Sequence, residues 1–173
     1  MTAFAIRAAV AADAAFLPAI EQSAGELFAT LPDLAWLATG ENRSVDFYRA
    51  SIDSGWCWIA EQDGRLCAFL AGDQTGDCLH VHELGVARPA QRRGIGTALM
   101  RTAIDAANLE GLRGVTLTTF ADVAWNAPAY ERIGFRRLAA NEIGPDLRAI
   151  FEREAKAGLP MDRRCAMRID LAR

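Results

Sequence analysis

Hydrophobic positions change period several times along the chain, and each change marks an element. Residues 4–8 read as a short strand, and an Ala-rich stretch over 11–30, with Pro18 near its first turns, reads as helix. Leu31-Pro32-Asp33 punctuates that stretch. Ser44 is an N-cap ahead of Val45, Phe47, Tyr48 and Ile52, an apolar set at helical spacing that closes at Gly55. Two runs rich in aromatic and aliphatic residues, 56–62 and 65–72, flank Asp63-Gly64, the turn dipeptide of a two-residue hairpin.

After a turn-like Asp73-Gln-Thr-Gly76, residues 79–86 form a third extended segment in which Leu and Val are interleaved with His80, His82 and Glu83. A polar, Gly-containing loop over 89–96 feeds a helix over 97–109, whose Ala98, Leu99, Ala103, Ile104 and Ala107 recur at helical spacing. A β-branched run at 115–120, a short helix at 125–133 closed by Gly134, and a strand beginning at Phe135 follow. The tail offers a helix at 147–157 and a last strand at 165–171. The pattern predicts one domain spanning 1–173, an α/β (α+β) fold with a mixed, mostly antiparallel sheet flanked by helices.

Composition narrows the function without naming it. In 173 residues, 51% are hydrophobic and 24% charged, which excludes a disordered chain. The net charge of -3 gives no basic footprint, so nucleic acid is not an expected partner. No apolar run is long enough for a membrane span, and Arg7 and Asp13 interrupt the N-terminal stretch, so a cytoplasmic protein without membrane attachment is expected. Cys57, Cys67, Cys78 and Cys165 lack C-x-x-C spacing and read as buried free thiols.

Candidate chemistry gathers where the third extended segment meets the loop. Gln91-Arg92-Arg93-Gly94-Ile95-Gly96 lies at a strand-to-helix connection, where backbone N–H groups and the positive end of a helix dipole suit a diphosphate. The run Arg-Pro-x-Gln-Arg-Arg-Gly-Ile-Gly after Glu83-Leu84-Gly85-Val86 resembles the acetyl-CoA signature of the GCN5-related N-acetyltransferase (GNAT) family. Downstream, Ala127-Pro128-Ala129-Tyr130-Glu131-Arg132-Ile133-Gly134-Phe135 resembles that family's second motif. The resemblance spans about residues 56–138 and says least about 141–160.

The resemblance implies acetyl-CoA as acyl donor, with its pantetheine arm beside Leu84, Gly85 and Val86 and its diphosphate on the amides of Arg92, Arg93, Gly94, Ile95, Gly96 and Thr97. It implies the Val86 amide as oxyanion donor and the Tyr130 hydroxyl as general acid toward the CoA sulfur. Asn126 is implied as a further CoA contact, although it stands closer to Tyr130 than the asparagine common in the family. The pair His80-x-His82 is similar to the arrangement in serotonin (arylalkylamine) N-acetyltransferases, where two histidines relay the amine proton.

Read from the residues alone, His80 and His82 at i and i+2 share one face of a strand, and imidazole suits proton acceptance near neutral pH. Strict alternation points Glu83, a competing base, to the other face. A hydrogen-bonded structural pair, or a metal site of Cys78, His80 and His82, are the other readings. Trp36, Trp56, Trp58 and Trp125, with Phe28 and Phe47, read as core, while 27–36 falls where family members build the acceptor wall. The expected activity is transfer of an acetyl group to a primary amine of a small molecule, with no metal. A non-catalytic acyl-CoA sensing module and an acetyltransferase for a protein or peptide amine are the alternatives, and a homodimer stays open.

Overall fold

The computed structural model describes residues 3–172. In chain order it forms β1 (Phe4–Ala8), α1 (Leu17–Gly25), α2 (Val45–Asp53), β2 (Cys57–Gln62), β3 (Arg65–Thr75) and β4 (Cys78–Val86). Then follow α3 (Ile95–Leu109), β5 (Gly114–Phe120), α4 (Ala127–Glu131), β6 (Arg136–Arg137), α5 (Pro145–Lys156) and β7 (Arg164–Asp170). The fold is α/β, with a seven-stranded, mostly antiparallel sheet in the order β1-β2-β3-β4-β5-β7-β6. The chain divides into two compact units, Met1–Asp73 with His82–Asp105, and Gln74–Val81 with Ala106–Arg173.

In the first unit β1 pairs antiparallel with β2, and β2 with β3 through the expected hairpin. Asp63 and Gly64 both have positive φ, 52° and 71°, as a type I′ turn demands. The stretch expected as one helix over 11–30 is broken. Pro18 has no N–H and its ring conflicts with a carbonyl four residues back, so it sits in the first turn of α1. Ala11–Phe16 before it and Glu26–Thr30 after it are 3₁₀ segments. A further 3₁₀ segment, Pro32–Thr39, lies where the sequence pattern gave no element.

Leu17, Ile20, Tyr48, Ile59 and Phe69 meet in a core cluster under α1 and α2, each large apolar side chain contributing about 1.5–3 kcal/mol by leaving water. Asp13 is buried at the edge of this cluster. Its two oxygens accept from the Arg7 guanidinium at 2.7 and 3.1 Å, and Oδ2 also accepts from the Val10 amide. Those Arg7 hydrogen bonds hold its carboxyl below the ordinary aspartate range.

In the second unit the first half of β4 pairs parallel with β5, Cys78–Val81 against Gly114–Leu117, and β7 lies antiparallel between β5 and β6. On α5, Leu147 and Ile150 pack with Ala166 of β7. Glu154 of α5 accepts from Thr118 Oγ1 at 2.5 Å and from Arg164 at 2.6 and 2.9 Å.

Several boundaries differ from expectation. Asp73 belongs to β3 rather than to a turn, α3 begins at Ile95 rather than at 97, and α4 is only five residues long. Cys57, Cys67 and Cys78 are buried free thiols as expected, while Cys165 is half-buried. Burial pushes the Cys57 thiol up to about 12. Among the described residues no helix is long and apolar enough to cross a membrane.

Candidate functional site

The loop after β4 is shaped by short-range bonds. The Gln91 side chain donates to the Val86 carbonyl at 3.0 Å and accepts from Arg88 at 3.2 Å, folding the loop back onto the strand end. Arg92 then takes φ 63° and Gly94 φ 82°. A non-glycine residue in that region costs about 1–2 kcal/mol, a strain of the kind that gathers at ligand clamps. The Gly94 carbonyl accepts the first α-helical bond, from Ala98 at 3.0 Å. The amides of Ile95, Gly96 and Thr97 therefore precede the intrahelical ladder and lie at the positive end of the 15-residue α3.

Gly96 packs closely under the strand. A Cβ there would meet Val86 Cγ2 at 3.4 Å and Leu84 Cδ2 at 3.9 Å. Arg93 donates to Gln62 Oε1 at 3.3 Å, so its side chain also ties the loop to the end of β2. Gly85 is glycine for a different reason. A Cβ at 85 would stand 2.7 Å from Cε1 of the fully buried Phe69, so the ring occupies the space a side chain would need.

From Leu84 to Val86 the second half of β4 alternates. Leu84 and Val86 approach Gly96 of α3, whereas Gly85 faces Phe69, whose ring meets the edge of Tyr48 on α2 at 5.1 Å. The His82 imidazole meets Phe47 of α2 edge to face, with centroids 5.7 Å apart. Glu83 faces the same helical side, 3.8 Å from Arg43, and the Arg43 guanidinium lies 4.7 Å over the Phe47 ring. His82 through Phe47 and Glu83 through Arg43 thus both lie within reach of the Arg43–Phe47 stack.

His82 Nε2 lies 3.0 Å from Asp73 Oδ2, with the His82 side chain 14% exposed and Asp73 50% exposed. Behind them, the buried Tyr48 hydroxyl donates to Glu21 Oε2 at 2.6 Å, and the same oxygen accepts from the Arg43 amide at 2.9 Å. Burial, and then the Glu83 and Glu21 carboxylates, push the Tyr48 phenol far above its ordinary range, so it remains a hydrogen-bond donor at any working pH.

In the second unit His80 is 1% exposed and its Nδ1 lies 3.0 Å from Thr116 Oγ1. On α4 the Asn126 carbonyl accepts from the Ala129 and Tyr130 amides, and the Tyr130 carbonyl accepts from Ile133 and Phe135. The Tyr130 ring is tilted against Phe135 at 5.8 Å. Asn126 Oδ1 is buried without a hydrogen-bond partner. Such an orphaned acceptor costs about 1–3 kcal/mol and is one that a ligand N–H can satisfy.

The structure thus brings Leu84, Val86 and the loop 91–97 together, and His82 and Glu83 together. Asp73, Arg43, Phe47, Glu21 and Tyr48 around the second group were given no part in the site by the sequence, which read Asp73 as turn and Phe47 as core. Asp73 has turn chemistry in Asp-x-x-Gly, and Phe47 is indistinguishable from core on a helical pattern. Among the described residues no group of three His, Cys, Asp or Glu side chains could hold a metal.

Comparison with known proteins bears on this geometry. The family model described as "Acetyltransferase (GNAT) family" matches residues 25–135. A curated relative, the probable N-acetyltransferase camello of Xenopus laevis, is 31% identical over 88 residues, covering 49% of this chain and 40% of the relative. Among solved structures, N-acetylglutamate synthase from Neisseria gonorrhoeae, complexed with coenzyme A and N-acetyl-glutamate, aligns with a TM-score of 0.72 at 20% identity, over 100% of this chain and 36% of that one. The ribosomal-protein-S18-alanine N-acetyltransferase of Escherichia coli aligns with a TM-score of 0.68 at 18% identity, over 99% of this chain and 96% of that one. These two structures share the fold.

Proposed function

The chain belongs to the GNAT acetyltransferase family, and from that membership we propose that it transfers the acetyl group of acetyl-CoA to the primary amine of a small molecule. The observation that carries the proposal is the loop after β4. Positive φ at Arg92 and Gly94 delivers three consecutive helix-start amides beside the Gln91-clamped end of the strand. In this reading the amides from Arg92 to Thr97 hold the diphosphate, and Leu84, Gly85 and Val86 lie along the pantetheine arm.

Acetyl-CoA supplies an activated acyl thioester, and the remaining work falls to the protein. The acceptor arrives as an alkylammonium, since a lysine-like amine has a pKa of about 10.4, and it must lose a proton before it can attack. His82 accepts that proton, directly or through water. The Val86 N–H stabilises charge developing on the carbonyl oxygen, and the departing thiolate takes up a proton that the acetylated nitrogen loses. The Arg43–Phe47 stack and the Asp73 and Glu83 carboxylates beside His82 form a compact, polar and aromatic wall, which favours a small amine over an extended chain.

The test is acetyl-CoA turnover, followed as released thiol, against aromatic, aliphatic and polyamine acceptors and a peptide with a free N-terminus, alongside calorimetric titration of acetyl-CoA. Amine-dependent release with a small acceptor supports the proposal, and release with the peptide alone moves the activity to protein amines. Tight binding without release would favour an acceptor outside the panel or a sensing module. Failure to bind acetyl-CoA would overturn the reading of the loop.

A further inference from the structure

We propose that Asp73 is the positioning residue for His82, and that this pair, rather than His80 or Glu83, receives the acceptor's proton; the inference rests on the acetyl-transfer reading above. β3 runs on to Thr75, so Asp73 is carried on a strand and its Oδ2 stands 3.0 Å from His82 Nε2. Facing a carboxylate at that distance, Nε2 carries the hydrogen and donates it, which makes Nδ1 the lone-pair nitrogen. The edge-to-face contact with Phe47, at an interplanar angle of 74°, opposes the ring flip that would exchange the two nitrogens. Asp73 thereby selects both the tautomer and the direction in which the base points.

The alternatives are less suited to the proton. His80 is sealed at 1% exposure with Nδ1 against Thr116, so a charge gained there would be buried. Glu83 faces the Arg43 guanidinium. Among the described residues of its own unit, the charged and titratable groups about His82 include Asp73 from β3, Glu83 from β4, and Arg43, which reaches it through Phe47. Asp73 compensates a new positive charge by direct contact. In the reaction the N–C bond forms as the thioester C–S bond breaks. Of the two protons the alkylammonium nitrogen loses, one passes to His82 Nδ1 before attack and the other ends on the departing thiolate, which leaves as the CoA thiol.

The experiment is a double-mutant cycle of Asp73→Ala and His82→Ala, with Asp73→Glu as the conservative variant. Asp73→Ala is expected to lower kcat at least about ten-fold, as loss of an oriented base should, with the KM for acetyl-CoA within about two-fold. In the His82→Ala background the same change should cost less than about two-fold, because there is no imidazole left to position. Asp73→Glu should restore part of kcat. An equal loss in both backgrounds, or no loss in either, overturns the inference.

A second readout stands apart from activity. In 15N-labelled protein, the His82 imidazole N–H should appear as a downfield proton resonance, assigned by its loss in His82→Ala, and it should disappear in Asp73→Ala. Its persistence in Asp73→Ala, or its absence from the unaltered protein, overturns the inference. If no acceptor is turned over at all, the functional reading fails, and this resonance still decides whether Asp73 holds His82.

Discussion

The loop from Val86 to Ala98 and the group around His82 both grow from β4, yet they are held by interactions of different range. In the loop, Gln91 reaches back to Val86, Arg88 reaches forward to Gln91, and Ala98 closes on Gly94. Around His82 the partners come from α1, α2 and β3: Glu21 and Tyr48 are 27 residues apart in sequence. A site made by backbone conformation tolerates changes in its surroundings and fails when a torsion angle is altered. A site made by packed side chains is expected to behave in the opposite way.

The largest expected effect separates the two directly. His82→Ala should lower kcat/KM about 100-fold or more, the scale of a lost general base, while acetyl-CoA affinity measured by calorimetry stays within about two-fold. A comparable loss of acetyl-CoA affinity would show that the two regions are not separable.

Gly85→Ala comes next. It lies in the strand motif but is constrained by packing, and its Cβ would press on the Phe69 ring at 2.7 Å. Overpacking should cost about 1–3 kcal/mol in urea unfolding, and Phe69→Leu added to it should recover part of the loss. Additive losses in the double variant would mean that Phe69 does not set the glycine requirement.

Gly94→Ala alters a torsion and no contact, since a Cβ there meets nothing within 4 Å while φ is 82°. The strain of about 1 kcal/mol should appear as acetyl-CoA binding about five-fold weaker, with little change in kcat. Unchanged affinity would remove the loop's torsion angles from the account of binding.

The smallest effect belongs to Asp13, which lies in neither region and so serves as a control for general stability. Its carboxyl is held below the ordinary value of 3.8 by Arg7. Its contribution is therefore present above that value and is lost as pH falls through the depressed one. Asp13→Asn should cost about 1 kcal/mol near neutral pH, discounted because Arg7 is 40% exposed, and the difference from the unaltered protein should shrink below about pH 4. A difference independent of pH would mean that the ion pair carries none of it.

Much of the fold is legible in the chain because the signals are local. Ser44 caps α2 by accepting from the Phe47 amide at 3.2 Å, and Asp63-Gly64 turns the hairpin. The regular apolar spacing of α3 shows through in the same way. The 3₁₀ segments around α1 were hidden because helical periodicity does not distinguish an unbroken helix from one interrupted by a proline. The strand carrying Asp73 was hidden for a related reason: Asp-x-x-Gly is good turn chemistry, and only the run of β3 to Thr75 overrides it.

The sequence by itself determined the order of elements, the loop Gln91–Gly96 and the presence of two histidines in the strand before it, because torsional preference, capping and short hydrogen bonds act over a few residues. Tertiary structure decided which groups those histidines meet. Asp73, Phe47 and Arg43 reach His82 and Glu83 from β3 and from α2 and the chain leading into it. Contacts of that kind depend on packing in three dimensions, for which spacing along one strand carries no information.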